Sequence, residues 1–133
     1  MSGQTDLKKM LSTLSPCLRE GHFVFCCVPI DSEADFQDLS PIATFREAEG
    51  LTLVLQKEIA DQAKLQYTAE FCCISLAVHS SLQAVGLTAA VSTALSVQGI
   101  SANVIAAYYH DHIFVPSDKA NQAMLALQAL SKT

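Results

Sequence analysis

The sequence predicts an α+β fold, an antiparallel sheet with helices packed on one face. Three observations point there. Half of the 133 residues are hydrophobic and only 16% are charged, which lets the chain bury one core, or two small ones, without staples. Short β-branched and aromatic runs bounded by Gly and Pro alternate with segments of helical spacing. In the second half these segments follow the order β-α-β-β-α, a ferredoxin-like pattern lacking its last strand.

The first half opens with residues 5–13, TDLKKMLST, a short helix with Thr5 as its N-cap. Pro16 ends any continuation. Residues 22–29, HFVFCCVP, favour a strand that Pro29 stops. An acidic loop over residues 31–41 follows. Residues 43–55 read as a hairpin turning near Glu49-Gly50, and Lys57 to Lys64 as a short helix.

The second half begins with a strand from Glu70 to His79. After a short loop, Gly86 to Gln98 forms a helix with Leu87, Val91, Ala94 and Leu95 on one stripe, and Gly99 is placed to end it. Asn103 to Tyr109 is a strand. His112 to Val115 is its hairpin partner across His110-Asp111. Ser117 caps a last helix whose apolar face carries Ala120, Ala123, Met124, Leu127 and Leu130. The first half offers the same order, with the acidic loop in place of the first helix. The chain therefore reads as two copies of one unit.

Composition narrows the function. No apolar run approaches the roughly 20 residues of a membrane span, and MSGQTDLKK lacks a signal peptide's apolar stretch. A cytoplasmic, membrane-free protein is expected. The net charge is −5 with scattered Lys and Arg, so nucleic acid is not an expected partner. Cys17, Cys26, Cys27, Cys72 and Cys73 form no disulfide framework and are expected reduced. Residues 1–66 hold six Lys/Arg and ten Asp/Glu, whereas 67–133 hold two and three. A half so poor in charge is expected to cover part of its surface against another half or another copy, which points to a homo-oligomer, a dimer being the simplest.

Residues 80–116, SSLQAVGLTAAVSTALSVQGISANVIAAYYHDHIFVP, resemble an ACT domain. The likeness rests on Val85-Gly86-Leu87 at the helix start, Ala94-Leu95 within it, and Gly99-Ile100-Ser101-Ala102-Asn103-Val104 leading into the strand. Aspartate kinases and the cytosolic arginine sensors of animal cells carry similar segments. Together with TFREAEGLTLVL, residues 44–55, the pattern is similar to that of small bacterial proteins made of two ACT-like units. The resemblance implies a degenerate N-terminal unit over residues 1–66 and a C-terminal ACT domain over 67–133. It also implies a regulatory or sensing module that binds a small molecule, most often an amino acid, at the strand-to-helix loop. A separate, unidentified protein would then be the regulated partner. By position, the loop Ser80, Ser81, Leu82, Gln83, Ala84, Val85 and Gly86 is the candidate pocket, with Asn103 nearby on the next strand. Many ACT domains have an acidic residue and a Pro-Gly pair in this loop. Here Gly86 is kept, Val85 replaces the Pro, and no acid precedes it.

The loop's chemistry suits an anion. A helix N-terminus presents unpaired N–H groups and partial positive charge. Gly86 permits close approach to the backbone, and the hydroxyls of Ser80 and Ser81 donate or accept. The plainer alternative is that a serine merely caps the helix and Gly86 merely allows tight packing. At the level of function, the alternative is a dimerisation module without a ligand.

Other chemistry finds little support in the residues. His110 and His112 have chelating spacing but lack a third ligand in sequence, so no metal is expected. Asp31, Glu33 and Asp35 mimic a calcium loop, but Phe36 replaces its glycine and Ile42 its bidentate glutamate. No nucleotide-binding or hydrolase motif is present. Neither cofactor nor catalytic activity is expected.

Overall fold

A computed structural model describes residues 3–77 and 86–132. In chain order the elements are α1 (Gly3–Ser12), β1 (Pro16–Leu18), β2 (Phe23–Val28), α2 (Glu33–Phe36), β3 (Ala43–Glu47), β4 (Gly50–Gln56), α3 (Lys57–Gln62), β5 (Phe71–Leu76), α4 (Leu87–Val97), β6 (Asn103–Ala106), β7 (Asp111–Pro116) and α5 (Ala120–Leu130). The fold is α+β and comprises two ferredoxin-like units. By contacts the chain divides into Gly21–Phe71 and a second unit that joins Met1–Glu20 to Cys72–Thr133.

In the first of these units the strands lie in the order β3-β4-β2. Glu47 pairs with Gly50, so the hairpin turns on Ala48-Glu49 and Gly50 opens β4 rather than sitting in the turn. Gly50 is required by space: a Cβ there would lie 2.6 Å from Cys27 Sγ and 2.8 Å from the Val28 carbonyl oxygen. Period-two alternation sends Val24, Cys26 and Val28 of β2 and Leu51, Leu53 and Leu55 of β4 to the helix side, where Ala60 of α3 joins them. The expected acidic loop is corrected in part. Residues 33–36 form the one-turn α2, followed by a 3-10 turn over Gln37–Leu39. Glu33 and Asp35 lie in the first turn of α2, where carboxylates complement the exposed N–H groups. Phe36 and Leu39 anchor the segment on the core. The order in this unit is therefore a full β-α-β-β-α.

The other unit repeats the arrangement with longer helices. Its strands lie as β6-β7-β5, and β1 pairs antiparallel with β5 on the far side. The strand missing from the second half is thus supplied from the start of the chain. Pro16, expected only to stop a helix, begins that strand; proline is compatible with a short edge strand because it need not donate to a ladder. Ile74, Leu76, Ile113 and Val115 from the sheet meet Leu87, Val91 and Leu95 of α4, Ala123 and Leu127 of α5, and Met10 and Leu14 near α1.

Two sequence expectations shift here. β6 stops at Ala106, and the connection is Ala107–His110, closed by the Ala107 N–H donating to the His110 carbonyl at 3.0 Å; Asp111 is already paired, with Ala106. Ser117 does not cap α5 with its side chain. It starts a 3-10 turn, Ser117–Lys119, that leads into the helix. Gly99 behaves as expected. With φ +73°, it gives its N–H to Ser96 at 2.9 Å, while Ile100 reaches Leu95 at 3.0 Å. This is the Schellman pattern, sealed by burial of both Leu95 and Ile100.

Candidate functional site

Of the residues expected to line the pocket, Ser80, Ser81, Leu82, Gln83, Ala84 and Val85 lie outside the described residues. Gly86 and Asn103 are described. Gly86 is the N-cap of α4, with φ +103° and its carbonyl accepting from the Ala90 N–H at 2.8 Å. It has no side chain to offer the first-turn N–H groups, and among the described residues no side chain caps them. The first turn of α4 also contains no acidic residue. Eleven residues long and held by buried Leu87, Val91 and Leu95, α4 keeps its positive end oriented. A Cβ on Gly86 would meet Leu7 Cδ2 of α1 at 3.1 Å, so the glycine also lets α1 pack against the helix start.

Asn103 opens β6 opposite Phe114 and donates from Nδ2 to the Phe114 carbonyl at 3.3 Å. Its amide braces the hairpin, and its carbonyl oxygen remains an acceptor. His110 and His112 take separate places in the hairpin. His110 ends the turn, whereas His112 Nδ1 lies 2.7 Å from Ser75 Oγ on β5. Among the described residues no group of three or more His, Cys, Asp or Glu is arranged to hold a metal. Burial holds the His112 imidazole below its ordinary range, so it is neutral at pH 7. The same effect pushes up the thiols of Cys26 and Cys73, which are inert as nucleophiles in that form. All five cysteines are free.

The Gly21–Phe71 unit has polar clusters of its own. His22 Nδ1 meets Glu70 Oε2 at 2.8 Å at the edge of an open depression of ≈ 320 Å³ shared with Gln56, Lys57 and Glu58. Lys57 pairs with Asp61 at 3.1 Å, and the Tyr67 hydroxyl donates to the other Asp61 oxygen at 2.7 Å. Tyr67 and then Lys57 hold the Asp61 carboxyl below the ordinary carboxylate range. Within these clusters the Glu70 and Asp61 carboxylates are each paired. Sequence reading missed the Ser75–His112 and His22–Glu70 pairs. Period-two alternation along β5 and β7 places Ser75 and His112 off the core face, but which strands are neighbours is not a sequence-local property.

Two β-α-β-β-α units, the second with a glycine-started first helix, define a tandem ferredoxin-like fold. The chain belongs to the ACT-domain family: one ACT-domain model matches residues 2–73 and a second matches 68–129. It is similar to a Vibrio cholerae protein of unknown function, described as a possible transport protein, at 55% identity over 98% of this chain and 99% of that one, with a TM-score of 0.89. An Agrobacterium tumefaciens protein shares the fold at 17% identity and a TM-score of 0.70, covering 89% of both chains. So does the ligand-free regulatory subunit of aspartate kinase from Thermus thermophilus, at 12% identity and a TM-score of 0.66, over 89% of this chain and 97% of that one. None of the curated protein sequences compared with the chain matches it. ACT domains generally serve as regulatory, small-ligand-binding modules rather than as catalysts. No described helix is long and apolar enough to cross a membrane.

Proposed function

We propose that the protein is a sensor for a small anionic metabolite, an amino acid by preference, bound at the loop 80–86 that leads into α4. The observation that carries this reading is the start of α4: a positive-φ glycine, no side-chain cap among the described residues, and no acid in the first turn. Unpaired N–H groups at the end of a well-anchored helix favour a carboxylate. Ser80, Ser81, Leu82, Gln83, Ala84 and Val85 precede the glycine and supply the remaining lining, with Asn103 contributing from β6. The cytoplasm is the proposed location. The output is a population shift: a ligand that prefers one association geometry of ACT units stabilises it, and a separate partner protein reads that geometry. A homodimer is the smallest such assembly.

Exposed apolar side chains favour a second reading, a dimerisation module without ligand. Val97 and Leu125 on the helices are 76% and 67% exposed. A thermal-shift screen against the twenty amino acids separates the two readings. A ligand binding only the folded state at 100 times its Kd adds about 2.7 kcal/mol, a rise of several degrees for a domain of this size. The sensor reading expects one selective hit, abolished by Ser81→Ala together with Gln83→Ala. A blank screen, with sedimentation showing a stable dimer, favours the dimerisation module. Gly86 is a poor test position, because any side chain there strains the backbone and crowds Leu7.

A further inference from the structure

We propose that Arg19, Ser75 and His112 form a receptor for a small monocarboxylate on the face of the β1-β5-β7-β6 strands opposite their helices. None of these residues belongs to the loop 80–86, and the proposal stands without the sensor reading.

The placement follows from register. Cys17 of β1 lies opposite Ser75 of β5. The ladder continues past the end of β1, where the Arg19 N–H donates to the Cys73 carbonyl at 2.8 Å. Because Ile74, Leu76, Ile113 and Val115 face the helices, their neighbours Cys73, Ser75, His112 and Phe114 face the other way. The positive charge of Arg19 acts on both the Cys73 thiol and the His112 imidazole. His112 Nδ1 and Ser75 Oγ, 2.7 Å apart, complete the cluster. Ser75 and His112 are neighbours across the sheet, and Arg19, opposite Cys73 and two residues along from Cys17, shares the face onto which a guanidinium, a hydroxyl and an imidazole are brought.

Two features give the cluster a guest. Among the described residues the ion pairs are His22–Glu70, Arg46–Glu33 and Lys57–Asp61, so Arg19 has no carboxylate partner there. Its planar fork matches a carboxylate in shape and charge. The Ser75–His112 pair retains a donor in either neutral tautomer. If Ser75 donates to Nδ1, that donor is the Nε2–H; if Nδ1–H donates to Ser75, it is the serine hydroxyl, which also neighbours the Cys73 thiol. One permanent positive charge and one directed neutral donor suit a singly charged anion better than a phosphate dianion.

The site is also pH-dependent. His112 is faced by Ser75 from β5, Ile105 from β6, Arg19 beyond β1, and His110 and Asp111 of its own hairpin. Protonation adds a second positive charge beside the anion. Its ordinary value is 6.5 and it is lowered here, so anion affinity rises as pH falls below neutrality, while a carboxylate stays ionised down to about pH 5.

The test is an NMR titration of the full chain, following the His112 imidazole and the Ser75 amide, with acetate, inorganic phosphate and chloride at equal ionic strength. The proposal expects a saturable response to acetate, a weaker one to phosphate and none to chloride. Affinity for acetate should rise as pH falls below the ordinary histidine value of 6.5, fall at least tenfold in Arg19→Gln, and fall less in Arg19→Lys. Ser75→Ala provides a second weakened variant, and thermal denaturation confirms that each folds. Acetate shifts that fail to saturate, that chloride reproduces, or that survive Arg19→Gln would overturn the site. Tighter binding of phosphate than acetate would overturn the carboxylate assignment.

Discussion

The two units share an order of elements and a strand arrangement, yet differ in what their helices can do. In Gly21–Phe71 the helices have four and six residues, and α2 buries none of them. In the other unit α4 and α5 have 11 residues each and bury three apiece. The first turn of α2 carries Glu33 and Asp35, whereas that of α4 carries no acid. One unit thus neutralises its strand-to-helix junction with its own carboxylates. In the other, the longer, core-anchored α4 has no acid in its first turn and, among the described residues, no side-chain cap. A shared topology does not give both junctions the same capacity; the residues at the junction decide it.

Core truncation should separate the units most strongly. Leu95 and Leu53 belong to different buried clusters. Leu95→Ala is expected to cost about 2–5 kcal/mol. Native-state hydrogen exchange should show β5 and β7 losing protection more than β2 and β4, with Leu53→Ala giving the reverse. Equal losses everywhere would merge the two cores into one cooperative unit.

The glycines sharpen the comparison at smaller magnitude. Gly50→Ala drives a methyl into Cys27 and Val28 and should cost about 1–3 kcal/mol by denaturant titration. Gly99→Ala meets nothing within 4 Å, so only its left-handed backbone is penalised, by about 1 kcal/mol. Gly50→Ala should therefore be the more damaging, and the reverse ranking would contradict the close packing of β2 on β4.

The smallest effects concern protons. Burial lowers the His112 pKa, so the unfolded chain takes up that proton first as pH falls below 6.5. The associated stability is present above 6.5 and declines as pH falls through the lower folded value. His112→Gln should flatten that part of the pH–stability curve. Asp61 shifts in the same acid-labile sense: its stabilising contribution is present above its ordinary 3.8 and is lost as pH falls through the depressed folded value. Tyr67→Phe removes the largest cause of that depression, so NMR should find the Asp61 carboxyl titrating closer to 3.8.

Much of this fold was legible in the chain because local signals agree. Leu87, Val91 and Leu95 repeat at helical spacing, and Gly99 and Ile100 end the helix with a backbone pattern that glycine makes accessible. What escaped was either short or non-local. β1 is three residues long and begins with proline, so it gains strand character only by pairing with β5. α2 is one acidic turn held by Phe36 and Leu39. The proposed ligand loop 80–86 rests on resemblance, and its physical support is the start of α4, with no acid in the first turn and no side-chain cap among the described residues. The Arg19–Ser75–His112 cluster draws on β5, β7 and the residue that follows β1, whose adjacency no periodicity encodes.

The most direct test of the central claim is amide NMR of the full chain during titration with amino acids. The account predicts saturable shifts confined to the loop 80–86, the first turn of α4 and Asn103, with the corresponding β2-to-α2 link, residues 29–32, unmoved. Shifts centred on residues 29–32, or no saturable shift with any of the twenty amino acids, would contradict it.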